Sequence, residues 1–503
     1  MNLWLSITTV GFLCLIPPAK SETLEDAIIA MLRFEPGLMA VDSDSRSTFE
    51  EYKIAKAELR PRIGISSDSG YATRDRSTDA VITNGSGDLY SRNIGLSIRQ
   101  LLYDGGVNSL RSTAAKEAYY AQRLLQMGVI EDRVVDLVEV YLELLRLDEQ
   151  LKEACDNIDY HRNFLRKLSR HEELGGSRSD TLLIDGRLSM AESARTEILL
   201  SRDTAASRFR RLTGGNPCRL VRPAAPQLNR TPGTIDLAGN WHYLAACATY
   251  DSALSEMQAE KANRKPNVYL DAGATEGYDT LGVKGRDREV HALVGVQWDL
   301  YRGGMRKAFA GREKWQAEKA RNLVIAADEN RSQKARDFLA EYRRANECRL
   351  SVEKYVHRLE LVANDYEKQF QLGNRELMNL LSVENELFQA RLKLIDSQYN
   401  EFVNIYRIWG VQGKLVTTLT GREILKIVGT GCKEKDEWYD HTLEQVTDCQ
   451  STGEPVSRTG IFKSGSCKTC SLKNDDPNAP WVSCSKIANA IPTQTRRRFS
   501  RRK

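Results

Sequence analysis

The side chains with the most obvious chemical potential lie near the C-terminus. Five of the ten cysteines, Cys432, Cys449, Cys467, Cys470 and Cys484, fall after residue 430. Cys467-Lys468-Thr469-Cys470 has the C-x-x-C spacing with which two thiolates share a metal ion or a redox step, and His441 could add a nitrogen ligand. A structural zinc site takes four ligands, usually as two such pairs, and no second C-x-x-C occurs. The readings left open are disulfides, a metal site, or a tail with little regular structure, as the Gly, Ser and Pro residues between Ser451 and Pro480 favour. Cys218 and Cys247 could bridge or stay unpaired, and Cys155 and Cys348 read as small apolar residues of helices. Elsewhere the chemistry is sparse. The six histidines form no H-E-x-x-H array. No Gly-x-Ser-x-Gly elbow or phosphate loop occurs, and the many acid pairs read as solvated helix faces. An enzyme is not expected, nor a cofactor or a bound metal.

These sparse groups sit on a chain of 503 residues whose charge is unevenly placed. Residues 420–503 hold 15 Lys/Arg against 10 Asp/Glu, and the remaining 58 of each sign balance. The body therefore offers no basic face for nucleic acid, and the final Arg/Lys run reads as a solvated tail. Leu3 to Pro17 is apolar, with small residues at Ala19 and Ser21, which predicts a cleaved export signal over 1–21. Export places the mature chain in an oxidising compartment. No stretch reaches the 18 to 20 apolar residues of a spanning helix, so any membrane crossing is by strands.

The positioning elements recur. Tyr103-Asp104-Gly105-Gly106 returns as Tyr301-Arg302-Gly303-Gly304, Gly175 returns as Gly373, and Arg60-Pro61-Arg62 as Lys265-Pro266-Asn267. Two copies of one unit follow, residues 22–215 and 237–419, joined by a linker at 216–236 and followed by a tail at 420–503. Each copy predicts a helix that stops at its proline, from Leu24 in the first and Leu237 in the second. A strand hairpin follows at 62–103 and 267–301, then a long helical hairpin at 106–212 and 304–409. From Val290 to Leu300 every second residue is apolar, which predicts a strand with Trp298 and Leu300 on the apolar side and Gln297 and Asp299 opposite. Ile130, Leu137, Leu144, Leu151, Ile158 and Leu165 fall seven apart, a coiled-coil seam. The helix carrying it is about 70 residues, on the order of 100 Å at 1.5 Å per residue.

Four strands per chain cannot close a barrel, and open edges are not tolerated in lipid. Several chains must pool strands, and three would give about twelve. The fold class expected is thus a mixed membrane protein, with four transmembrane β-strands per chain and a long α-helical coiled-coil tunnel. A cytosolic coiled-coil scaffold would explain the heptads but neither the signal nor the hairpins.

Ala55-Lys56-Ala57-Glu58-Leu59-Arg60-Pro61-Arg62, Leu101-Leu102-Tyr103-Asp104-Gly105-Gly106 and Gly176-Ser177-Arg178-Ser179-Asp180 resemble the TolC-type outer-membrane efflux and type I secretion proteins, over about residues 22–419. Phe34-Glu35-Pro36 resembles the family's Asn-Pro, and Tyr250-Asp251-Ser252 is read as its second-copy counterpart. The resemblance implies a homotrimer, with a twelve-stranded barrel in outer-membrane lipid and helices in the periplasm. It implies docking on a periplasmic adaptor served by an inner-membrane ABC or proton-driven pump. The glycine pairs Gly105-Gly106 and Gly303-Gly304 become strand-to-helix corners, and Gly175, Gly176 and Gly373 the tip turns. Asn379 and Ser382 stand where the family places pore-lining acids. Asp180 and Arg375 match an acid and an arginine that link neighbouring hairpins and close the periplasmic end; the alternatives are solvated tip residues or an adaptor contact. The Gly-Ser-Arg-Ser-Asp sequence looks closer to the secretion branch. A structural envelope protein, using the same helices as a strut, is the competing function.

Overall fold

In a computed structural model, residues 22–72, 89–224, 235–280 and 284–420 are described. The signal segment and the cysteine-bearing tail lie outside them. The element order is α1 Leu24–Phe34, α2 Pro36–Ala57, β1 Arg62–Ala72, β2 Leu89–Tyr103, α3 Val107–Glu173 and α4 Arg178–Thr213. Then come α5 Trp241–Ala262, β3 Asn267–Tyr278, β4 Arg286–Gln297, α6 Met305–Gln371, α7 Leu377–Gln412 and α8 Leu415–Thr420. Lengths recur in order: 22 residues in α2 and α5, 67 in α3 and α6, 36 in α4 and α7. The described residues divide into two compact units, one with 22–39, 128–224, 235–240 and 331–420, the other with 40–72, 89–127, 241–280 and 284–330.

In the first unit Ile130, Leu137, Leu144 and Ile158 are buried, and Leu151 and Leu165 half-buried. Each fully buried Leu or Ile contributes about 1.5–3 kcal/mol, so the heptad face decides how α3 packs. Two arginines lock α7 between its neighbours. Arg407 donates to Glu139 of α3 at 2.6 Å and to Glu341 of α6 at 3.4 Å. Arg391 does likewise with Glu153 at 3.7 Å and Glu360 at 2.9 Å. At the end of the helices Glu131 is buried and accepts from the backbone N–H groups of Leu415 at 2.6 Å and Val416 at 3.3 Å. It thereby satisfies donors that α8 would otherwise leave orphaned. Burial pushes its carboxyl up to about 8, against the lowering effect of those two hydrogen bonds.

The break between α1 and α2 has a local cause. Glu35 precedes a proline, is extended (φ −72°, ψ 116°), and its carboxylate accepts from Leu38 N at 3.1 Å, capping α2. The second break lies elsewhere than expected. Tyr250-Asp251-Ser252 is interior to the unbroken α5, and the helix starts at Trp241 rather than Leu237. Leu237–Asn240 is instead a turn, in which Asn240 N donates to Leu237 O at 3.2 Å. Asn240-Trp241 therefore precedes α5 as Glu35-Pro36 precedes α2.

The second unit holds the sheet. Its order is β1-β2-β3-β4, antiparallel throughout, with β1 and β4 as edges. Tyr243, Tyr250, Ala320 and Val324 form a helical core beside it in the same unit. β1 begins at Arg62 and β2 ends at Tyr103, but β4 stops at Gln297, leaving Trp298, Asp299 and Leu300 outside the strand. The last pair is Asn267 with Gln297, and the next residue on the facing strand is Pro266, which has no N–H to donate. Trp298 turns away and donates from its indole to Arg264 O at 3.1 Å, and Asp299 pairs with Arg302 and Arg306 at 3.5 and 3.6 Å.

Candidate functional site

Two features could serve a conduit: the sheet and the helical tips. In the sheet, directly paired residues share a face. Ile65, Leu96, Ala274 and Val290 form one row, and Ile63, Ile98, Ala272 and Ala292 the next; Leu270 with Val294 and Val268 with Val296 continue it. This continuous apolar face is left uncovered in the chain: Ile65 is 77% exposed and Val290 75%. The opposite face is mostly Gly, Ser, Thr and charge, with Leu101, Tyr269 and Leu293 as its large apolar residues. There Asp271 accepts from Arg99 Nε at 2.7 Å and lies 3.3 Å from His291 Nε2.

Aromatic residues flank the apolar rows. Tyr71 and Tyr90 meet edge-on at 5.4 Å at the turn end, one row beyond Tyr278. At the other end a bulge between Leu101 and Tyr103 pairs Tyr103 with Val268, which brings its ring to the apolar face. From Arg288 to Gln297 is about nine residues, roughly 30 Å along a strand and about 23 Å if tilted by 35–45°. That is the height of a barrel's apolar band. No helix among the described residues is long and apolar enough to cross a membrane.

The tips end α3 and α6 identically. Gly175 N donates to Glu172 O and Gly176 N to His171 O, both at 2.9 Å; Gly373 N donates to Phe370 O and Asn374 N to Gln369 O, again at 2.9 Å. Each is a Schellman motif, whose left-handed residue is Gly175 (φ +99°) or Gly373 (φ +72°). Gly176 is demanded by space, since a Cβ there would come within 2.7 Å of His171 O. At the corners Gly105, Gly106, Gly303 and Gly304 all have positive φ. Asp104 additionally caps the first corner, accepting from Gly106 N at 2.8 Å and Asn108 N at 2.7 Å.

Below the turns, Phe164, Ile184, Leu377, Leu380 and Leu381 form an apolar cluster, with Tyr366 and Phe370 against it. Arg375 lies 3.7 Å over the Tyr366 ring and donates from Nε to Gln369 Oε1 at 3.0 Å. Asp180 is half-buried in the first turn of α4, and among the described residues it makes no ion pair with Arg375 inside the chain. Asn379 and Ser382 are exposed on α7, and the Ser382 hydroxyl donates back to Met378 O at 2.8 Å. Among the described residues no disulfide is formed by Cys155, Cys218 or Cys348. Of the pair weighed for a bridge, Cys218 is exposed after the Gly214-Gly215 turn in the first unit, and Cys247 packs into the α5 core of the second. Among the described residues no group of three or more His, Cys, Asp or Glu could hold a metal. Cys432, Cys449, Cys467, Cys470, Cys484 and His441 lie outside them.

Residues 30–215 match the family model described as outer membrane efflux protein. The outer membrane efflux protein BepC of Brucella suis biovar 1 (strain 1330) is 22% identical over 433 residues, covering 84% of this chain and 92% of that one. A solved membrane protein from Pseudomonas aeruginosa superposes with TM-score 0.71 at 15% identity, over 80% of this chain and 92% of its own. The outer membrane protein VceC of Vibrio cholerae gives TM-score 0.68 at 15% identity, over 78% and 96%. At such identities the superpositions speak for the fold alone.

Proposed function

We propose that this chain, a TolC-type outer-membrane protein of the outer membrane efflux family, is one subunit of a homotrimeric export duct. The observation that carries the reading is the four-stranded sheet, apolar on one face, polar on the other and open at both edges. An open edge in hydrocarbon leaves N–H and C=O groups unsatisfied, at several kcal/mol each. Pairing β4 of one subunit with β1 of the next removes every edge, and three subunits pool about twelve strands. The recurring element lengths support a duplicated unit, so a trimer would surround its axis with six helical hairpins.

The energy for export would come from an inner-membrane ABC or proton-driven pump, reached through a periplasmic adaptor. Leu174 and Leu372, 87% and 74% exposed at equivalent places in the two tip turns, are the apolar points such an adaptor would meet. Small-molecule efflux and type I protein secretion both fit this arrangement. Purified trimers in planar bilayers should give unitary conductance steps; intact trimers without steps would leave only a strut.

Asp180 and Arg375 would act between neighbouring hairpins of different subunits, with Tyr366 and Gln369 holding the guanidinium ready. An exposed pair is worth about 0 to 1 kcal/mol. Three acting together bias the open–closed ratio by about 1–3 kcal/mol, roughly five- to a hundredfold. Arg375→Ala and Asp180→Asn should each raise open probability in single-channel records. Unchanged gating in both would transfer these residues to adaptor contact.

Deleting residues 430–503 should leave the trimer intact, because the described helices are complete at Thr420 and α8 is capped from within by Glu131. Loss of the trimer on size-exclusion chromatography would make the tail part of the fold.

A further inference from the structure

The apolar face of the sheet gives way to charge toward the strand turns. One row beyond Ala274 and Val290 the same face still carries Ile94, now beside Glu276 and Arg288, and the next row carries Arg92, Tyr278 and Arg286. Their contacts agree with that placement. Glu276 pairs with Arg286 and, at 3.3 Å, with Arg288. The Arg92 and Arg286 guanidiniums lie 5.4 and 5.7 Å from the centre of the Tyr278 ring. Among the described residues of these two rows, three guanidiniums stand against one carboxylate, and the side chains of Arg286 and Arg288 are 51% and 61% exposed. At the same level the opposite face has Asp68, Asn93, Gly277 and Asp287. The positive charge is thus confined to the side that carries the apolar band. The neighbouring strand β1 offers only Ser67, Ser69 and Tyr71 on this face, no carboxylate that a subunit mate could bring.

We propose that Arg92, Arg286 and Arg288 form an outward rim that binds the phosphate groups of headgroups in the outer-leaflet lipid around the barrel. The inference rests on reading these strands as membrane-spanning. Guanidinium is the cation best matched to such a ligand, because its planar fork of N–H donors fits phosphate oxygens and it remains charged at any working pH. Tyr278 stands in the row of Arg92 and Arg286, and Tyr71 and Tyr90 in the row beyond, where aromatic rings settle at the headgroup boundary. Glu276 holds Arg286 and Arg288 side by side and competes with phosphate for them.

The test uses full-length trimers in neutral detergent, titrated with a fluorescent lipid A carrying two phosphates and with its dephosphorylated form. The phosphorylated lipid should bind at least about tenfold more tightly. The combined substitution R92Q, R286Q and R288Q should erase the difference, and Glu276→Gln should widen it, an effect opposite to that of damage. Equal affinity of the two lipids, or a preference surviving the triple substitution, would overturn the rim. Displacement of the lipid by low-millimolar inorganic phosphate would overturn the commitment to a lipid headgroup. Flotation with phosphatidylcholine vesicles distinguishes failure of the rim from failure of the barrel. If the wild type does not float, the strands do not span lipid; if it floats without phosphate preference, only the rim is lost.

Discussion

Val294→Arg should abolish outer-membrane trimers, whereas Leu293→Arg, one residue earlier on the same strand, should be tolerated. Val294 pairs with Leu270 on the apolar face and is 66% exposed in the single chain. In the proposed barrel that exposure would face hydrocarbon near the middle of the band. An arginine there costs about 2–4 kcal/mol per chain, hence roughly 6–12 kcal/mol for three symmetric copies. That is comparable to the whole stability of a typical domain. Leu293 pairs with Asp271 on the polar face, where a new guanidinium would meet a carboxylate. The measurement is the yield of detergent-resistant trimer in outer-membrane fractions. Equal loss in both variants, or the reverse order, would show that the sheet faces lipid with its other side.

The second large effect is a pH dependence centred on Glu131. Its carboxyl is raised from 4.5 to about 8, chiefly by desolvation. An acid that binds its proton more tightly when folded gives stability that is fully present below pH 4.5 and lost as pH climbs through about 8. At about 1.4 kcal/mol for each pH unit separating the folded and unfolded titrations, the loss is on the order of 3–5 kcal/mol per chain. Glu117, pushed up to about 7, and Asp251, up to about 6, move in the same direction by burial and add their own slopes. The diagnostic quantity is therefore the difference between wild type and Glu131→Gln. The glutamine retains one acceptor for the α8 amides and cannot titrate. Thermal midpoints between pH 5 and 9 should fall less steeply in the variant, and the two curves should separate most at the alkaline end. Parallel curves would mean that Glu131 stays ionised across the range.

How far the sequence anticipates the molecule depends on whether each feature is local. The heptad from Ile130 to Leu165 is legible because a seven-residue period needs no partner to be noticed, and α3 buries it. Glycines at 105, 106, 175, 303, 304 and 373 are legible because each adopts a conformation that other residues resist. The apolar alternation in β4 is legible too, but its end is not, since β4 stops at Gln297, where the residue before its partner strand β3 is Pro266. The start of α5 is hidden because Asn240-Trp241 lacks the proline that advertises Glu35-Pro36. Glu131, Arg391 and Arg407 carry no signal: each is one charged residue in a charged helix until folding sets its partners beside it. Arg375 belongs with these. Its sequence position suggests a reach toward Asp180, but inside one chain its guanidinium rests on Tyr366, back across the turn.

The bulge at Leu102 has a mechanical consequence. A strand turns its side chains over every residue, and a helix rotates them by about 100°, so a chain passing from β2 into α3 must reconcile two incommensurate clocks. The spare residue between Leu101 and Tyr103 works as a vernier: it advances the backbone by half a pleat without consuming a ladder position. Strand register and helix azimuth thereby become separately adjustable. In the proposed trimer, barrel and tunnel would need different circumferences from the same number of chains, and each could be tuned through this one joint without reworking the other.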